Sequence, residues 1–236
     1  MKRLLFAALL AALAAGQRVE AQPKTAQVSA LEGKAQKARD RARATPLSVG
    51  TGVAQGDQIL TQDDSRLELK FSDGSVLRMG PKAKMHLTEA HFGGGPARRK
   101  LTAKLFFGNL WAKVTSVIQG EQKFQVETEN AVAGVRGTTF RVDAHADKSV
   151  LVRVYAGAVA VAKNVPVSAV GKKGEPRHEV AGPEEVSRER WEKIVGEQME
   201  IVIAADGTPG EPRQVAEDAD KDDAWAKWNQ GRDEAK

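Results

Sequence analysis

Leu67, Leu69 and Phe71 alternate with Arg66, Glu68 and Lys70. A period of two puts every second side chain on one face of an extended strand, and no helix can use it. One face of this segment is apolar and the other charged, so it reads as a strand with one face toward the core and one toward water. Asp73 and Gly74 follow, a pair able to take positive φ, and Val76 to Met79 returns as the partner strand of a hairpin. The same texture, short alternating runs punctuated by glycine, aspartate and proline, extends from Val28 to about Val161. Further candidates are Met85 with Leu87, Leu101 to Phe107, Leu110 to Val117, Phe124 to Thr128, Phe140 with Val142, Val150 to Val154, and Val159 with Val161. Gly108, Gly120 and Gly157 mark the breaks. So many short strands require two layers or a closed sheet. The expectation is a mainly β fold, an antiparallel two-layer β-sandwich or β-roll of about ten or more short strands, with C-terminal α-helices.

The first residues bear on compartment. Lys2 and Arg3 precede an apolar run from Leu4 to Ala15, and small residues follow, with Ala21 before Gln22 as one cleavage point and Ala14-Ala15-Gly16 as a second. This is the pattern of a secretory signal peptide over residues 1–21, since the run falls short of the roughly 20 apolar residues that span a bilayer. The expected location is periplasmic or secreted, with no transmembrane segment left after cleavage. No cysteine is present, which removes both disulfides and a lipidated cysteine, so stability must come from packing. The formal net charge of +5 loses Lys2, Arg3, Arg18 and Glu20 with residues 1–21, and the +3 that remains is mild, so nucleic acid is not an expected partner.

Beyond the β region at residues 22–163, residues 164–205 read as a looser extension followed by an amphipathic helix. Pro183-Glu184-Glu185 opens that helix toward Met199, and Trp191, Ile194, Val195 and Gln198 recur at spacings of three and four. Residues 206–236 read as an acidic linker ending in a short helix, on which Trp225 and Trp228 offer an apolar stripe.

Four segments occur in order: Gly56-Asp57-Gln58-Ile59-Leu60-Thr61, Phe71-Ser72-Asp73-Gly74-Ser75, Asn130 to Phe140 with Arg136-Gly137-Thr138 at its heart, and Tyr155-Ala156-Gly157-Ala158-Val159. Together they resemble the FecR-type domain over roughly Ala26 to Ala162, and four ordered motifs are far more specific than one. The ending Trp228-Asn229-Gln230-Gly231-Arg232-Asp233 is similar to a "W-N-x-x-R-D" terminus found in some exported proteins with this domain. The resemblance implies a β-rich, periplasmic, non-catalytic module that, in the founding members, relays receptor occupancy to a sigma-factor regulator. This sequence reads as having a signal peptide where those members have a cytoplasmic domain and membrane helix, so the extracytoplasmic binding part is what is expected to carry over. The signature residues Gly56, Asp57, Thr61, Asp73, Gly74, Ser75, Arg136, Gly137, Thr138, Phe140 and Gly157 are expected to serve the architecture.

Sharper chemistry finds little support. Gly50 to Gly56 lacks dinucleotide spacing and reads as a turn. Asp143, His145 and Asp147 would share a strand face but offer no fourth metal ligand, and Asp218, Asp220 and Asp222 fail an EF-hand pattern at its glycine and glutamate positions. The expectation is therefore no metal, no cofactor and no catalytic residue, with another envelope protein or surface component as partner. The alternative is a glycan or small anionic ligand held near Trp111, Phe92 and the basic stretch Arg98-Arg99-Lys100. A third reading, an exported hydrolase, needs Asp143, His145 and a hydroxyl in one cleft.

Overall fold

The computed structural model describes residues 25–40, 42–92, 99–115, 123–135, 137–164 and 192–235. Its first strands are β1 (Ala26–Glu32), β2 (Ala35–Arg39), β3 (Thr45–Pro46), β4 (Gly52–Val53), β5 (Asp57–Thr61), β6 (Arg66–Phe71), β7 (Val76–Met79) and β8 (Lys84–His91). A long strand, β9 (Lys100–Lys113), is followed by β10 (Lys123–Glu127), β11 (Ala131–Val135), β12 (Thr139–Ala144), β13 (Val150–Ala156) and β14 (Val159–Lys163). Then come β15 (Glu192–Val195), β16 (Met199–Ile203), β17 (Arg213–Gln214) and the helix α1 (Ala224–Glu234).

The strands form two sheets that share β9. Sheet A runs β4-β1-β6-β7-β9-β12-β13-β16-β17, all antiparallel. Sheet B runs β3-β2-β5-β8-β9-β10-β11-β14-β15, and only its β9–β10 pair is parallel. The core lies between the sheets, with Leu67, Leu69, Leu77, Met79, Phe140, Val152 and Ile201 from sheet A against Ile59, Met85, Leu87, Leu105, Val126 and Val161 from sheet B. These are the inward positions of alternating strands, so the period of two in the sequence becomes the inner wall of a sandwich.

The chain changes sheet at tight corners. Gly108, expected as a break between two strands, instead lies inside β9 and marks where the strand leaves β8 and β10 to join β7 and β12. Its φ is +93°, and a Cβ there would sit 2.5 Å from the Ala83 Cα, so any side chain meets fixed backbone. The Asn130 to Phe140 passage is another such corner: β11 belongs to sheet B and β12 to sheet A. Gly137 there has a φ of +59°. Gly157, at φ +84°, packs against this corner, and an added Cβ would lie 2.9 Å from the Gly137 carbonyl oxygen and 2.8 Å from the Thr138 Cγ2. Arg136 lies outside the described residues.

Two expectations for the C-terminal third need correction. Residues 192–199 are not helical: Glu192–Val195 pairs with β14, and a turn leads to β16 with Gln198 at φ +57°. Ile194 is 61% exposed while Val195 is fully buried opposite Val159. The three-and-four spacing thus arose by chance across a strand and a turn, and the extended backbone wins because β14 would otherwise be an open edge. Residues 183–191, with Trp191, lie outside the described residues. The acidic stretch 206–223 is also more than a solvated linker, because it contributes β17 and two of its aspartates, Asp220 and Asp223, pair with sheet A. Only the terminal helix carrying Trp225 and Trp228 lies where expected.

Candidate functional site

The outward face of sheet A carries a row of polar side chains in register across six strands. Glu68 on β6 stands opposite Arg78 on β7, Arg78 opposite Trp111 on β9, and Trp111 opposite Arg141 on β12. Arg141 stands opposite Arg153 on β13, and Arg153 opposite Glu200 on β16. Each is the outward residue between two core residues, as Arg78 is between Leu77 and Met79. The charged face of β6 was expected in water, but Glu68 is only 2% exposed and Arg78 is fully buried. What covers them is the end of the chain.

Residues 218–234 cross sheet A from β13 toward β6. Asp220 pairs with Arg153, and Asp223 with Arg141. Asp223 also caps α1, accepting hydrogen bonds from the Trp225 and Ala226 amides at 2.8 and 3.0 Å. Farther along, Asp233 accepts from Arg78 Nη2 at 2.8 Å and from the Trp111 indole Nε1 at 3.1 Å. Arg232 donates to Glu68 at 2.9 Å, and the Trp228 indole donates to Glu32 at 2.7 Å. Trp225 and Trp228 stack at 5.3 Å, with the Arg232 guanidinium 5.1 Å from the Trp228 ring centre. Asn229 is buried; its side-chain amide bonds the Trp225 carbonyl, and Arg78 Nη1 reaches its backbone oxygen at 3.4 Å. Trp228, Asn229, Arg232 and Asp233 of the terminal motif therefore all touch the row or its margin.

Electrostatics explain why the row tolerates burial. Arg141 and Arg153 face each other directly, a like-charge pair that would repel if left alone. On the sheet itself Asp143 bonds Arg141 at 2.8 Å and Glu200 bonds Arg153 at 2.7 Å, while Glu68 bonds Arg78 at 2.7 Å. The terminal segment then gives each arginine a second carboxylate. Burial pushes the Glu68 carboxyl up, but hydrogen bonds from Arg232, Arg78 and Ser29 outweigh it and bring it down to about 2. Burial opposes ionisation of Asp223 and Glu200 as well, and their arginine partners hold both below the usual carboxylate range. The Tyr155 hydroxyl is pushed above the usual phenol range, first by burial and then by the Asp220 carboxylate. Its ring stacks on Trp111 at 4.2 Å.

The described signature residues lie elsewhere, at the turns and corners of the sandwich and, for Phe140, in its core. Asp57 is buried, accepts the Ala54 amide at 3.0 Å and pairs with Lys37 and Arg39 next to the positive-φ turn at Gly56. Thr61 accepts the Ala83 amide at 2.9 Å and donates to the Gly80 carbonyl at 2.6 Å. Asp73 accepts the Ser75 amide at 2.9 Å across Gly74, closing the β6–β7 hairpin. Phe140 is fully buried in the core and Thr138 is buried at the corner.

The other sequence candidates are dispersed. Asp143 is held by Arg141 and by Asn109, whose amide donates at 2.7 Å, whereas Asp147 accepts from Ser149 in the exposed turn beyond His145. No group of three or more metal-ligating side chains occurs among the described residues. Trp111 is buried under α1, and Phe92 is half-buried and stacks on Phe71 at 5.3 Å, so the two are not gathered in one open site. Among the described residues, Phe106 and Phe107 are exposed aromatics, and they line an open cleft of about 340 Å³ with Thr128, Glu129, His145 and Lys148. The ammonium groups of Lys84 and Lys104 lie 5.2 and 5.5 Å from the Phe106 ring centre.

No helix among the described residues is long and apolar enough to cross a membrane. No curated protein matches the sequence. Two crystal structures of a candidate anti-sigma factor from Parabacteroides distasonis are similar at 20% identity and a TM-score of 0.47. The similarity covers 72% of this chain and 64% and 63% of those chains, so the match spans less than two thirds of their length. Residues 57–160 match the family described as FecR protein, from the buried Asp57 to the strand after the Gly157 corner. Over that span the chain is similar to the FecR family.

Proposed function

We propose that the protein is an exported, non-catalytic FecR-domain module that binds another protein of the cell envelope in a signalling context. The observation that carries this reading is the state of its buried carboxylates. Asp57, Glu68, Asp143 and Glu200 are the buried acids among the described residues, and each is held by lysine or arginine. A carboxylate engaged in that way is not free to serve as a general base or a nucleophile. The described signature residues meanwhile sit mainly at corners and turns, which supports a scaffold role. Affinity capture from envelope extracts with the full chain tests the reading. Reproducible enrichment of one envelope protein is the expected result, and capture of nothing beyond a bare-matrix control contradicts it.

A second reading rests on the Phe106–Phe107 cleft. Aromatic faces beside two lysines suit an anionic sugar, which stacks on the ring and places its charge at the ammonium groups. Thermal-shift titration with acidic oligosaccharides discriminates the two readings: concentration-dependent stabilisation that Phe106→Ser abolishes favours the cleft.

A further inference from the structure

The terminal segment has the features of a ligand more than those of a core element. The hydrophobic cluster between the sheets closes without any residue of α1. Within the helix, Trp225, Ala226 and Asn229 are the buried residues, so little apolar area holds it down. Its hold comes from charge-assisted hydrogen bonds at Arg78, Arg141 and Arg153. All three arginines keep a sheet carboxylate when the segment leaves, so departure strands no unpaired charge on the sheet. Beneath lie Trp111, Tyr155 and three arginines, the residue types that dominate binding hot spots.

We propose that residues 216–235 are a displaceable intramolecular ligand, and that the Arg78-Trp111-Arg141-Arg153 row is a recognition site for an acidic, tryptophan-bearing helical segment of a partner protein. The site's own occupant defines what fits. Carboxylates at positions 220, 223 and 233 meet three arginines, and a tryptophan pair three residues apart covers the β6 and β1 side. A partner helix with that spacing gains every contact the terminal segment gives up, so exchange costs no buried charge. The site deepens the reading of the chain as a protein-binding module.

The test uses the full chain and a fluorescein-labelled synthetic peptide of residues 216–235. Peptide uptake, followed by anisotropy, is expected to be weak in the unaltered chain. It is expected to strengthen about tenfold or more in Asp223→Asn, where asparagine still caps the helix but the ion pair with Arg141 is weakened. Arg153→Gln is expected to lose most of the uptake, and Glu200 there keeps Arg213 as its partner. In the unaltered chain, hydrogen exchange of α1 amides is expected to be at least tenfold faster than that of β12 and β13. Exchange of α1 at the same rate as those strands, or uptake indifferent to both substitutions, overturns the proposal. A chain that takes up the peptide yet captures no envelope protein keeps this site and removes the wider functional reading.

Discussion

Arg78 is the residue on which the outer face of sheet A depends most. It is fully buried between Glu68 and Asp233. Replacing it with methionine keeps the bulk but takes the central cation away from two carboxylates in a covered site. Removing one partner of a buried pair costs about 3–5 kcal/mol, so Arg78→Met is expected to lower the urea midpoint by more than Lys82→Met. Lys82 pairs with Asp63 at the surface, and such pairs contribute about 0–1 kcal/mol. Gly108 makes the opposite point, since its role is to have no side chain. Gly108→Ala places a Cβ against Ala83 backbone and holds alanine at φ +93°, a conformation that alone costs about 1–3 kcal/mol. Thermal unfolding is expected to show a drop of several degrees, whereas Gly231→Ala, with open space around it in the middle of α1, is expected to stabilise the helix slightly.

At the scale of elements, the sequence was most legible where alternation is strict. The β6–β7 hairpin follows from Leu67, Leu69 and Phe71 with the turn at Asp73-Gly74, and the structure has it in that register. Inward residues declare themselves by hydrophobicity, but outward residues do not reveal which strand lies beside them. Glu68, Arg78, Arg141, Arg153 and Glu200 are each an ordinary polar residue at an outward position. They become a row only through pairings such as β7 with β9, whose paired residues are separated by a long stretch of chain. The signal that could have found them was the terminal Trp228-Asn229-x-x-Arg232-Asp233 motif, since two indoles and an ion-pairing couple on a polar helix need a surface to meet. Glu192 to Gln198 failed for another reason: four residues of strand and a turn can mimic a helical stripe over so short a span. The stretch from 206 to 223 looked solvated because it is acidic, but acidity was complementarity to arginines not adjacent in sequence. Asp223 shows the coupling between helix and sheet, because one carboxylate caps α1 and pairs with Arg141. Asp223→Ala is therefore expected to speed exchange of the α1 amides by more than cap loss alone, which contributes about 1 kcal/mol. Asp223→Asn, which keeps a cap, is expected to fall between it and the unaltered chain.

The whole molecule is a two-sheet sandwich whose apolar core lies between the sheets and whose outer ionic row is covered by residues 218–234. The two parts respond differently to acid. Glu68 is held at about 2 in the folded protein against an ordinary 4.5, so the unfolded chain binds its proton first as pH falls. Its contribution, on the order of 3 kcal/mol, is complete above pH 4.5 and disappears as pH drops toward 2. Asp223 and Glu200 are depressed in the same direction and add to the effect. Protection of α1 is expected to stay level from pH 7 to pH 5 and then fall, ahead of the core strands, with hydrogen exchange as the measure. The most direct test of the closure is a double-mutant cycle between Arg141→Gln and Asp223→Asn, read from the opening free energy of the α1 amides. A coupling of about 1–3 kcal/mol is expected, as befits a charge-assisted hydrogen bond in a covered site. Effects that add to within about 0.5 kcal/mol would contradict it.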